Sequence, residues 1–227
     1  LTSIESYARD VAISDNRGNV EILDYDHELQ EPELPSELFP PLTIHYDSSF
    51  GKSTATDGET LVVGSDFYDG NPVGYGAVFV YTRNRHGTLT DFSDDTWDYE
   101  AKITPPDSVF YNIFGDTLAI SGDTLVIGDQ WDSSLVGRNG AVYVYTRLTH
   151  GVWSIQQKLI ASDYSPYSYF GNDIAIEGDT IAIGADYANQ LNNNGEIEID
   201  SAGAVYIFTR SNNTWTETKK LIPSDPE

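Results

Sequence analysis

The chain has 227 residues, enough for one domain or two small ones, and its 39% apolar and 12% aromatic content supplies a real core. Its 36 acidic and 12 basic residues leave a formal charge of −24, which repels phosphate backbones and anionic membrane surfaces and argues against nucleic acid as a partner. No apolar run reaches the 18 or so residues of a bilayer span, and the lack of Cys excludes disulfides, thiolate metal sites and Cys nucleophiles.

The chain starts at Leu1 and contains no Met, as expected of a processed or excised segment of a longer precursor whose signal peptide is already gone. Residues 1–49 read as a worn copy of a unit that becomes clear further on. Its strands are Val11-Ala12-Ile13-Ser14, Gly18-Asn19-Val20-Glu21-Ile22-Leu23 and Leu42-Thr43-Ile44. Leu1 to Ser6 is a candidate leading strand, and the Pro- and Glu-rich stretch 31–41 reads as an irregular loop.

From Phe50 the unit recurs in register at 50–113, 114–169 and 170–227. Each copy opens on Phe-Gly, at Phe50-Gly51, Phe114-Gly115 and Phe170-Gly171. Next come Gly58-Glu59-Thr60, Gly122-Asp123-Thr124 and Gly178-Asp179-Thr180, each followed by an apolar run ending in Gly64, Gly128 or Gly184. A variable loop leads to a Gly-Ala-Val run ending in Thr-Arg, at 76–83, 140–147 and 203–210. Trp97, Trp153 and Trp215 then precede Lys102, Lys158 and Lys220, with Asp107, Asp163 and Asp225 beyond them.

Four strands per copy follow, here called A to D. A and B are joined by a two-residue turn, at Asp57-Gly58, Ser121-Gly122 and Glu177-Gly178, where Gly takes positive φ without penalty. B and C are apolar on both faces, so both faces should be covered. D alternates (Trp97, Tyr99, Ala101 and Ile103 against Asp98, Glu100 and Lys102), which suits an outer edge with one wet side. Its Trp is expected to wedge against the next sheet. The predicted fold is all-β, built of four-stranded antiparallel β-propeller blades, three clear and one degenerate at the N-terminus.

The Phe-Gly starts and the Gly140-Ala141-Val142-Tyr143-Val144 type of run resemble the FG-GAP repeats of the integrin α-chain propeller, well over 50–227 and weakly over 1–49. The resemblance implies a non-enzymatic adhesion module outside the cell that binds proteins, sugars or surfaces. Two departures stand out. The family's Gly-Ala-Pro becomes Gly64-Ser65-Asp66, Gly128-Asp129-Gln130 and Gly184-Ala185-Asp186. The two-residue A–B turn is also too short for the family's D-x-D-x-D-G calcium loop, so that site does not carry over and no cofactor is expected.

Catalysis finds no support in the motifs. His27, His45, His86 and His150 share no spacing, and neither a nucleophile elbow nor a phosphate cradle is present. The better candidates are the B–C and D–A loops, which alternating strand directions bring to one end of the blades. Phe67, Tyr68, Trp131, Tyr187, Tyr164 and Tyr167 are the candidate ligand-binding aromatics, suited to sugar rings or protein surfaces. Asp66, Asp69, Asp129, Asp132 and Asp186 are the oxygen ligands on offer to Ca2+, and an acidic rim is expected at that end. The competing reading makes these acids turn caps and these aromatics wedges between blades.

Asn212-Asn213-Thr214 is a glycosylation sequon, with Asn212 the acceptor. The expected role is extracellular adhesion or assembly with protein partners, and a lectin-like propeller is the alternative. Three or four blades fall short of a seven-bladed ring, so the chain reads as a small four-bladed ring, part of a longer propeller, or a half-ring completed by another chain.

Overall fold

The computed structural model describes residues 12–14, 20–22, 49–65, 75–87, 95–106, 112–133, 135, 137–192 and 194–224. The strands are β1 (Ala12–Ser14), β2 (Val20–Ile22), β3 (Ser53–Thr56), β4 (Thr60–Ser65), β5 (Ala77–Asn84), β6 (Thr96–Ile103), β7 (Thr117–Ser121) and β8 (Thr124–Asp129). They continue with β9 (Ala141–Thr149), β10 (Val152–Leu159), β11 (Ile174–Glu177), β12 (Thr180–Ala185), β13 (Gln190–Leu191), β14 (Ile197–Ile199), β15 (Ala204–Ser211) and β16 (Thr214–Leu221). No helix occurs among the described residues.

Two units divide the chain, 1–36 and 37–227. In the first, β1 pairs antiparallel with β2, so the two apolar runs expected there do form strands. The rest of the worn copy, including Leu1 to Ser6 and 42–44, lies outside the described residues. The second unit holds three four-stranded antiparallel sheets, β3-β4-β5-β6, β7-β8-β9-β10 and β11-β12-β15-β16, one per clear copy. A small β13-β14 hairpin fills the long B–C loop of the third copy.

The A–B turns sit one residue later than their sequence suggests. Ser121 faces Thr124 and Glu177 faces Thr180, so the turns are Gly122-Asp123 and Gly178-Asp179. Gly122 and Gly178, both at φ 55°, lead turns in which only the first residue is left-handed. The first copy differs, because Thr56 faces Leu61 and leaves a four-residue loop. There the Asp57 carboxylate accepts from the Glu59 and Thr60 amides at 3.1 and 2.8 Å, which closes the wider turn.

Strand D does not keep the expected alternation. The ladder of β5 and β6 steps from Tyr81–Tyr99 to Val80–Ala101, which makes Glu100 a bulge residue. Gln156 and Thr218 are skipped in the same way in the second and third sheets. The bulge turns Glu100 away from solvent, and its side chain is fully buried. It accepts from the Gly151 amide at 2.7 Å and pairs with Arg147 at 3.3 Å, both in the second sheet. Burial alone would raise the pKa of Glu100, but Thr82, Gly151 and Arg147 outweigh it and hold the carboxyl below its ordinary value. Gln156 repeats the contact one sheet on, bonding the Trp215 indole and the Asn213 carbonyl.

The remaining markers also serve the joints between sheets. Phe114 forms a parallel bridge to Gly76 of the preceding sheet, and Phe170 does the same to Gly140. The carbonyl of the Gly after each Phe accepts a hydroxyl from that preceding sheet, Ser53 to Gly115 at 2.5 Å and Thr117 to Gly171 at 2.6 Å. Arg147 reaches back to Thr60 at 2.6 Å and Arg210 to Thr124 at 2.9 Å. Between the first two sheets the core is Val62, Val78 and Val80 against Phe114, Ile127 and Tyr143. Between the second and third it is Val126, Val142 and Val144 against Phe170, Ile183 and Tyr206. Trp153 and Trp215 join these two clusters, so they pack against the sheet before their own and not the one after.

Candidate functional site

At the end of the sheets where strands B and C are joined, the D–A loop 160–169 lies between two B–C loops. Its Tyr167 amide donates to the Gly137 carbonyl at 3.0 Å, and its Ser168 hydroxyl donates to Asn139 O at 2.9 Å. On the other side, the rings of Tyr169 and Tyr187 meet edge-on with centroids 5.5 Å apart. This is the convergence expected from alternating strand directions.

Three of the expected aromatics are exposed in this cluster, Tyr164 at 43%, Tyr167 at 58% and Tyr187 at 52%. Tyr167 and Tyr169 hold φ of 62° and 53°, a conformation that bulky residues rarely adopt and that costs on the order of 1–2 kcal/mol. Trp131 is placed differently. The Arg138 guanidinium lies 4.2 Å from its ring centroid, so one face of the indole is already covered. Phe67, Tyr68, Asp66 and Asp69 lie outside the described residues, as do Asp107, Phe110 and Tyr111.

The acids of the second B–C loop point inward. Asp129 and Asp132 are both fully buried, whereas Asp186 of the third loop is exposed. Asp132 accepts from the Tyr143 hydroxyl at 2.9 Å and the Lys158 ammonium at 2.8 Å. Tyr143 and Lys158 face each other across β9 and β10, and the ammonium lies 4.8 Å from the Tyr143 ring centroid. The third sheet builds the same trio with another acid. Tyr206 and Lys220 again face each other, but both bind Asp163 of the D–A loop, at 2.7 Å each. Ala188 stands where Asp132 stands in the second loop, its amide bonding the Ala185 carbonyl and its carbonyl the Gly203 amide as Asp132 bonds Asp129 and Gly140. The carbonyl of the next residue, Asn189, accepts from Lys220 at 3.0 Å.

Asp129 accepts from the Ile113 amide at 3.1 Å, while its other carboxylate oxygen is buried without a partner. Burial, followed by the charge of Asp132, pushes its pKa from 3.8 up to about 7. The native state therefore holds a proton that the unfolded chain has released, and this group's contribution falls as pH rises from 3.8 to about 7. An Asp129→Asn variant is expected to flatten that part of the stability profile and to raise the melting temperature above neutral pH. Thermal melts across the window test this, and an unchanged slope would refute it.

Among the described residues no group of three or more His, Asp or Glu is placed to hold a metal ion. Asp129, Asp132 and Asp186 do not form such a group, since Asp132 is held by Lys158 and Asp186 faces solvent. Sequence reading nominated Asp132 as a ligand and missed Lys158 as its counter-charge. The signal was in the repeat: Tyr or Phe at Phe79, Tyr143 and Tyr206 stands opposite Lys102, Lys158 and Lys220 in every copy.

Sheets joined by a Phe-Gly that bridges a Gly of the sheet before define an all-β repeat protein in which each unit completes its neighbour. A family model described as FG-GAP repeat matches residues 97–145 and 153–208, and the chain carries FG-GAP repeats over these segments. Each matched segment starts on strand D of one sheet and ends on strand C of the next, so it spans a joint. Repeats of this family are typically adhesion or ligand-binding modules and typically non-enzymatic. No curated protein matches the chain.

Proposed function

We propose that the sheets are blades of a β-propeller and that the chain works as a non-enzymatic, extracellular adhesion or assembly module, engaging protein partners through its B–C and D–A loops. Support for blades comes from the A strands: β3 lies beside β7 and β7 beside β11, as inner strands about a common axis would. The observation that carries the binding role is Tyr167, exposed on a strained backbone that the Gly137 carbonyl holds in place. Tyrosine on a rigid loop offers a large amphipathic contact at low entropy cost, which favours protein surfaces. An exposed Asn212, in a turn where both Asn212 and Asn213 have positive φ, is open to a glycan in a secretory setting.

Probing the full chain on arrays of extracellular proteins and of glycans tests this reading. A Tyr167→Ser, Tyr187→Ser variant is expected to lose at least about tenfold in protein binding with unchanged melting. Equal binding by the variant would remove the loops from the interface. Binding confined to glycans, and lost with the tyrosines, would favour the lectin-like alternative; Trp131 is a weaker platform there, because Arg138 already stacks on it.

A further inference from the structure

The buried pair of Lys158 and Asp132 holds an amine and a carboxyl in contact, out of water and beside donors that suit a reaction between them. The ammonium donates to Asp132 Oδ2 at 2.8 Å, which sets Nζ next to Cγ, and the Asp132 side chain is closed to solvent. The Tyr143 hydroxyl donates to the same oxygen at 2.9 Å. A donor therefore already stands where negative charge would develop if a nitrogen added to this carboxyl. Lys158 is fixed from the other side by β9, where it faces Tyr143 in the ladder with its ammonium 4.8 Å from the ring centroid.

A third group completes the arrangement. Asp129 stands one turn before Asp132, whose amide donates to the Asp129 carbonyl at 3.0 Å. Its Oδ1 accepts from the Ile113 amide, and its Oδ2 is buried without a partner. Burial, then the charge of Asp132, pushes its pKa up to about 7, so just below neutral pH it holds a proton beside a pair that must exchange protons to react. The third sheet repeats the Lys and the Tyr without this group. Lys220 and Asp163 meet at 2.7 Å, but a quarter of the Asp163 side chain is open to water. Ala185 takes the position of Asp129, facing Ala204 as Asp129 faces Ala141.

We infer that the folded chain forms its own amide cross-link between Lys158 Nζ and Asp132 Cγ. The ammonium first gives a proton to Asp132 Oδ1, leaving a neutral amine and a neutral carboxyl. The Nζ lone pair then bonds to Cγ, and the C=O electron pair moves onto Oδ2, under the Tyr143 hydroxyl. A second proton passes from Nζ to Oδ1 by way of the Asp129 carboxyl, which gives one proton, takes one and ends as it began. The Cγ–Oδ1 bond breaks, the oxygen leaves as water, and the electron pair on Oδ2 restores the carbonyl. One ammonium and one carboxylate become one amide and one water, with no co-reactant. Folding supplies effective concentrations on the order of 10⁵–10⁸ M for aligned groups, which an amine and an acid lack in water. Burial favours the neutral amide over two desolvated charges. The amide forms after folding, so freshly folded chains still report on the ion pair. None of this depends on what the loops bind.

Intact mass spectrometry of the full chain, incubated in the folded state just below neutral pH, is expected to show the loss of one water. Trypsin should no longer cut after Lys158, and the digest should contain residues 103–138 joined to 148–210. A Lys158→Arg variant keeps the positive charge but has no amine to acylate, so it should retain its full mass. An Asp129→Asn variant keeps both reacting groups and should lose water about a hundredfold more slowly, because its proton carrier is gone. A wild-type chain that retains its full mass through prolonged incubation would overturn the inference. So would an equal loss from Lys158→Arg, which assigns the water to another acid, or an amide found at Lys220 in place of Lys158.

Discussion

A Gly140→Val variant is expected to lose the native state, with an unfolding free energy lower by more than about 4 kcal/mol. Gly140 holds φ at 82°, where a β-branched residue is strained, and its added Cβ would run into the Phe170 carbonyl and lie 2.6 Å from the Phe170 amide. Those atoms are backbone and cannot swing aside. Phe170 must therefore retreat, which breaks its bridge to Gly140, its amide bond to Asn139 O and its seat against Tyr206 and Phe208. A loss of this size is a large share of the roughly 5–15 kcal/mol that a domain holds. A Gly178→Ala variant isolates the backbone cost, since Gly178 has positive φ in open space and should lose only about 1 kcal/mol. Urea denaturation followed by Trp fluorescence separates the two, and a Gly140→Val midpoint close to the wild type would refute the account.

The second large effect is expected at Lys158. Removing its ammonium leaves Asp132 fully buried beside Asp129, held by the Tyr143 hydroxyl and no longer by the ammonium. Taking one partner from such a pair costs about 3–5 kcal/mol, so Lys158→Met should be severely destabilised. Adding Asp132→Asn should recover most of that loss, because the uncompensated charge goes while an acceptor for Tyr143 remains. Lys220→Met should cost only about 1 kcal/mol, since a quarter of the Asp163 side chain is open to water. A double-mutant cycle by chemical denaturation gives the coupling, and additive losses at Lys158 and Asp132 would contradict it.

Among the joint residues, the sequence marked positions without saying what they touch. Thr124 and Arg210 recur in every copy, yet the bond between them links two copies and spans 86 residues. Glu100 read as a solvent-facing alternate of strand D because nothing local announces a bulge; the extra residue shows only when β5 and β6 are paired. Of the candidate site, the exposed tyrosines were legible as loop aromatics, and the meeting of Tyr169 with Tyr187 follows from their loops sharing one end. The inward turn of Asp129 and Asp132 was not legible, since an acid just past a strand reads equally well as a cap, a ligand or a buried partner.

The sequence by itself determined the all-β class, the three units and the boundaries of most strands, because apolar runs and Gly-containing turns act over a few residues and recur in register. Only the tertiary structure decided which carboxylates stay in water, which aromatic faces remain open and which face of each sheet receives its neighbour. Those outcomes depend on partners 26 to 87 residues away, such as Lys158 for Asp132 and Thr60 for Arg147. Burial against such partners reverses what a side chain does in isolation: an acid becomes half of a buried pair, and a glycine becomes a point of contact between two sheets.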